Sequence, residues 1–127
     1  MSSKDNRPVN LDLRTIQQPL PAITSILHRI SGLLIFIGLA FLLYYLDLSL
    51  SSKEGFAQLQ EILANSFIVK LIIWGVVSAL LYHLVAGIKH LIMDLGYGET
   101  LEGGRTGARI VLVISIILIL LTGYWIW

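Results

Sequence analysis

Three long stretches without a single charge constrain this chain more than any other feature. Arg29 and Asp47 bracket 17 uncharged residues, Lys70 and Lys89 bracket 18, and Arg109 is followed by 18 more, to Trp127. A helix needs roughly 17 to 25 apolar residues to cross about 30 Å of hydrocarbon. Inside lipid the backbone has no water to bond to, so a helix that satisfies itself is the natural spanning form. With 56% hydrophobic and 13% charged residues among 127, the chain cannot hide three such helices in a water-soluble core, which normally carries about a quarter charged residues. The fold class expected is all-α: an integral membrane protein with three transmembrane helices. Three thin apolar spans leave little room for a solvated cavity, so they are expected to form part of a multi-subunit helical bundle.

The boundaries follow from charge, proline and glycine. Residues 1–22 read as a polar N-terminal segment interrupted by Pro8, Pro19 and Pro21, the last suited to a first helical turn. Residues 23–127 form the transmembrane domain, with spans expected near 23–46, 67–93 and 108–127. Between the first two, Asp47 to Asn65 is a loop with a short surface helix over Glu54–Leu63. Five glycines, Gly96, Gly98, Gly103, Gly104 and Gly107, make the next connection a loop. The N-terminal segment lacks the basic start and short apolar core of a secretory signal, and Asp5 and Asp12 speak against a mitochondrial transit peptide. Lysine and arginine divide seven to two, with Lys4, Arg7, Arg14, Arg29, Lys89, Arg105 and Arg109 against Lys53 and Lys70. The positive-inside rule then predicts a cytoplasmic N-terminus and a periplasmic Trp127.

Composition also excludes. With no cysteine, the chain holds no disulfide, no thiolate metal site and no iron–sulfur cluster of its own. A net charge of +1 gives no basis for binding nucleic acid.

Polar side chains within a span are costly and need a partner or a purpose. The second span holds His83 and His90. Seven residues is nearly two turns, so both lie on one face, about 10 Å apart along the axis. Ala86 and Gly87 lie between them, with Ala79 and Gly75 one and two turns before His83. A histidine among small residues suits an axial haem ligand, since a flat macrocycle can then approach the helix. Small residues at this spacing are equally ordinary helix–helix contacts, across which a buried histidine can hydrogen-bond. His83 and His90 cannot both ligate one iron, because one helix cannot reach both faces of a porphyrin. The third histidine, His28, sits at a depth suited to His90 more than to His83, so a counter-ligand for His83 is expected from another chain.

A second cluster, Ser25, His28, Arg29 and Ser31, opens the first span. Ser25 and Arg29 share a face and offer a hydroxyl and a guanidinium fork where lipid meets water. A quinone carbonyl or a haem propionate is the kind of group they could grip; a snorkelling arginine at a helix end is the plain alternative. Lys89, His90 and Asp94 lie at the same level, so the two clusters could meet.

The segment from Arg7 to Ser31, reading R-P-V, then Leu13, Leu20 and S-I-L-H-R-I-S, resembles the first signature of the cytochrome b subunit of succinate dehydrogenase (complex II). H-L-V-A-G-I-K-H-L-I-M-D-L-G, from His83 to Gly96, is similar to that family's other signature. The resemblance implies that His83 is one axial ligand of the iron of haem b, shared with a second, smaller anchor subunit. It implies that Ser25 and Arg29 bind the quinone, ubiquinone in most of the family, and that His28, Arg29 and His90 lie near the haem propionates. It also implies a flavoprotein with FAD and an iron–sulfur subunit with its clusters as partners on the cytoplasmic face of a bacterial inner membrane. Lys89 stands where the family commonly has arginine, which keeps the charge but loses the planar fork.

Rival readings of other classes fare worse. A three-span lipid kinase of the diacylglycerol kinase type needs carboxylates to hold magnesium, and here Asp94, Glu99 and Glu102 all lie in or beside the glycine-rich connection. A small proton-coupled transporter needs an intramembrane carboxylate. A cofactor-free structural anchor keeps the spans but gives no reason for His83.

Overall fold

The computed structural model describes residues 9–127. Lys4, Arg7 and the R-P of the first motif therefore lie outside the described residues. Four helices follow one another: α1 (Leu20–Ser51), α2 (Lys53–Asn65), α3 (Phe67–Asp94) and α4 (Leu101–Ile126). No strand occurs among the described residues. α1, α3 and α4 are each long and apolar enough to cross a membrane. They pack as an up–down–up bundle, with α2 bridging α1 and α3 at one end.

The packing is inverted relative to a water-soluble protein. Large aliphatic side chains such as Leu33, Ile37, Leu84, Ile116 and Leu120 face outward. The buried positions are small: Thr24, Ser31 and Gly38 on α1, Ala79 and Ala86 on α3, and Gly104, Ala108, Val111 and Ser115 on α4. Lipid tails are as apolar as leucine, so burying leucine gains little; small residues let backbones approach, and dispersion and interhelical hydrogen bonds hold them. Among these bonds between helices, Tyr82 donates to the Thr24 carbonyl at 2.8 Å, and Trp74 Nε1 donates to the Ile119 carbonyl at 2.9 Å. Gly123 lies under the Trp74 ring, where a Cβ would come within 3.1 Å of Nε1.

The helices extend beyond the expected spans. α1 starts at Leu20, led by Pro19 and Pro21, and continues past Asp47 to Ser51. Ser49 and Ser51 bond back to the carbonyls of Leu46 and Leu48, so a polar end of the helix persists outside the apolar stretch. A charge marks the membrane edge, not the helix end. α2 is two residues longer at its C-terminal end and one at its start than Glu54–Leu63, and Ser52 caps it by accepting from Gly55 N at 2.9 Å.

The glycine-rich connection is shorter than expected. Only Gly96 and Gly98, at φ of 89° and 73°, adopt the left-handed conformation that favours glycine. α4 begins at Leu101, with Thr100 Oγ1 accepting from Gly103 N at 3.0 Å. Gly103, Gly104 and Gly107 are therefore helical. Their low helix propensity is offset by close approach: Gly104 packs beneath Pro21, and Gly107 lies against the stem of Lys89.

Candidate functional site

The three histidines come together where α1 crosses α3. The His28 and His83 rings stack at a centroid distance of 4.0 Å, only 12° from parallel. His90 approaches His28 at 5.2 Å with its ring tilted by 59°. Two glycines make the crossing close enough. A Cβ on Gly32 would come within 3.1 Å of His83 Cε1, and one on Gly87 within 3.4 Å of His28 Nε2.

The environment of His83 fixes which ring nitrogen is available. Its Nδ1 lies 3.0 Å from the His28 carbonyl oxygen and 3.0 Å from Ser31 Oγ. Ser31 gives its own proton to that same carbonyl at 2.7 Å, so both neighbours present lone pairs to Nδ1. A proton on Nδ1 satisfies this arrangement and leaves the Nε2 lone pair unused. His83 Nε2 makes no hydrogen bond among the described residues, yet it is not sealed from the chain's surface. His28 Nε2, by contrast, is buried without a partner. Nδ1 of His83 is thus anchored to α1 through the His28 carbonyl and Ser31. Among the described residues no group of three or more His, Asp or Glu converges on a metal ion.

The expected site residues divide. His28 lies between His83, on which its ring stacks, and His90, whose ring is tilted against it. The expected pairing of His28 with His90 rather than His83 is corrected: its ring lies closer to His83. The crossing of α1 and α3 sets the His28 ring on that of His83 and its carbonyl 3.0 Å from His83 Nδ1. Ser25 is half-buried and Arg29 exposed, and neither bonds to another described side chain. Each sits one residue, about 100°, round α1 from Thr24 and His28, which face α3. Lys89 turns away from this cluster and lays its stem on Gly107 of α4, and Asp94 is exposed at the end of α3. The two clusters thus join only through His28 and His90.

The small residues of α3 are mostly packing. Ala79 and Ala86 are 8% and 2% exposed, buried by this chain's own helices, which is the ordinary helix-contact reading. Gly75 remains open, with nothing within 4 Å of where a Cβ would stand. Sequence reasoning grouped Ser31 with the cluster without seeing that it braces His83. The available signal was its position three residues after His28, where a serine hydroxyl bonds back to the carbonyl. Tyr82, Thr24 and Trp74 were missed, because nothing in a span's composition marks which aromatic hydroxyl or indole crosses to a neighbour.

A three-helix membrane protein with an imidazole braced across a helix crossing is the class these features define. The chain belongs to the succinate dehydrogenase/fumarate reductase transmembrane subunit family, whose model matches residues 3–122. The succinate dehydrogenase cytochrome b556 subunit of Coxiella burnetii is 46% identical over 121 residues, covering 95% of this chain and 97% of that protein. The cytochrome b556 subunit of Paracoccus denitrificans is 33% identical, covering 94% of this chain and 92% of its own length. The mitochondrial cytochrome b560 subunit of Sus scrofa is 28% identical over 88% of this chain and 67% of its own length.

Proposed function

We propose that this chain is the membrane-anchor cytochrome b subunit of a succinate:quinone oxidoreductase, helping to bind haem b and the quinone that accepts electrons from succinate. The observation that carries the reading is His83: Nδ1 engaged by the His28 carbonyl and Ser31, and Nε2 without a hydrogen bond among the described residues and not sealed from the chain's surface. His83 Nε2 would hold the haem iron from this chain, and a second hydrophobic anchor subunit would supply the other protein ligand. Haem b, when bound, supplies one-electron redox chemistry. The chain's part is to hold an imidazole in one tautomer and orientation, and to set cationic and polar groups near the propionates: His28, His90 and Arg29.

Ser25 and Arg29 are assigned to the quinone. Neither has a side-chain partner among the described residues, which leaves a hydroxyl and a guanidinium to serve a molecule bound at a subunit junction. Negative charge develops on the quinone oxygens as it is reduced, and a hydroxyl donor beside a fixed cation stabilises that charge. The iron–sulfur subunit with its clusters and the flavoprotein with FAD complete the assembly on the cytoplasmic face, where the Lys and Arg distribution places Arg29. The membrane is then a bacterial inner membrane, with Trp127 on the periplasmic side and ubiquinone as the acceptor.

The test is a dithionite-reduced minus oxidised spectrum of the purified membrane complex, wild type beside His83→Ala. A b-type signal in wild type that is lost or displaced in the variant supports ligation. An unchanged spectrum in the variant moves the ligand elsewhere, and no signal in wild type leaves a cofactor-free anchor.

A further inference from the structure

Away from the histidines, α3 and α4 diverge to form a groove of about 420 Å³. Its walls are aliphatic, with Val85, Ile88 and Ile92 on one side and Ile110 and Ile114 on the other. Lys89 lines it as well, and Tyr97 and Gly98 stand at its mouth. Lys89 is the one cation in this lining, and it is not placed at random. A Cβ on Gly107 would lie 3.2, 3.6 and 3.8 Å from Lys89 Cε, Cγ and Cδ. The absence of a side chain at Gly107 is what lets the lysine stem run along α4 into the groove. Lys89 has neither a hydrogen bond nor an ion pair with a carboxylate among the described residues.

We propose that this groove binds one anionic glycerophospholipid, with an acyl chain between α3 and α4 and its phosphate on the Lys89 ammonium. Lys89 lies five residues before the end of α3, or about 7 Å of helix. A four-carbon stem raises the ammonium from that depth to the headgroup level. An ammonium there with no partner among the described residues takes its counter-charge from the surface of the bilayer, since an anionic leaflet attracts lysines close to it. The aliphatic walls between α3 and α4 match a hydrocarbon chain, which needs no hydrogen-bond donor. The residues involved are separate from Ser25, Arg29 and the three histidines. The groove therefore serves equally whether or not the chain carries haem.

The experiment is native mass spectrometry of the intact membrane complex in mild detergent, after delipidating washes, with phosphatidylglycerol or phosphatidylcholine added back. Wild type should retain phosphatidylglycerol at least tenfold better than phosphatidylcholine. Lys89→Gln should lose that preference while Lys89→Arg keeps it. Ile110→Trp, which fills the groove and leaves Lys89 in place, should also release the lipid; size-exclusion elution at the wild-type volume checks assembly of each variant. Equal retention of the two lipids, or unchanged retention in Lys89→Gln, would mean ordinary annular lipid and overturn the proposal. So would displacement of the lipid by a short-chain quinone, or a cross-link from Ile110→Cys to a partner subunit lying in the groove.

Discussion

Replacing Gly32 by alanine tests whether α1 holds His83 in place. The added Cβ would stand 3.1 Å from His83 Cε1 and 3.5 Å from Nδ1. Ordinary carbon contacts begin near 3.5 Å, so the ring or the helix must yield by a few tenths of an ångström. Overpacking of this kind costs about 1–3 kcal/mol, against a gain of about 1 kcal/mol from exchanging glycine for alanine within a helix. Gly104→Ala is the matched control: it makes the same exchange at a buried helical position where the new Cβ meets Pro21 at 3.8 Å, an ordinary contact. Thermal unfolding of the purified complex, followed by circular dichroism, should place Gly32→Ala about 1–3 kcal/mol below Gly104→Ala. The b-type absorbance per complex should fall in Gly32→Ala alone, because moving the imidazole strains its 3.0 Å contacts with the His28 carbonyl and Ser31. Second-shell disturbance typically weakens metal affinity 10- to 100-fold. Equal stability and equal absorbance in the two variants would refute the reasoning, since His83 would then not be braced against α1.

Other outcomes follow from the same contacts. Ser31→Ala leaves His83 Nδ1 with the His28 carbonyl alone, so the b-type spectrum should persist while the haem midpoint potential shifts; a redox titration identical to wild type would remove Ser31 from the second shell. Trp74→Phe removes the 2.9 Å bond to the Ile119 carbonyl and should destabilise the complex by about 0.6 kcal/mol, the average for interhelical bonds in a membrane, read from its thermal midpoint. Arg29→Ala should depress quinone reduction while succinate oxidation with a soluble dye acceptor continues near wild-type rates; equal loss of both in a normally assembled complex would remove Arg29 from the quinone site.

Much of the architecture was legible from the charge-free stretches, because the solvent requirement of a bilayer is a matter of length and composition. α1, α3 and α4 each carry one of the charge-free stretches, and a short helix fills the interval between the first two. Helix ends were less legible. Asp47 sits inside α1, and Gly103, Gly104 and Gly107 sit inside α4. A charge or a glycine has a local cost that close packing, or emergence from the hydrocarbon, can offset. The histidine spacing put His83 and His90 on one face of α3, which is local helix geometry. It could not show that His28 lies between them, nor that Lys89, next to His90 in sequence, would turn to the opposite neighbour.

By itself, then, the sequence determined that this is a three-span membrane protein, which end is basic, and which polar residues had to be accounted for. Each is a property of one segment and its solvent. Only the tertiary structure decided which nitrogen of His83 is engaged. That depends on a carbonyl and a hydroxyl lying 55 and 52 residues away in the chain. It also decided that Ala79 and Ala86 serve packing while Gly107 makes room for a lysine, because a small residue records only that something comes close, and the crossing of the helices determines what.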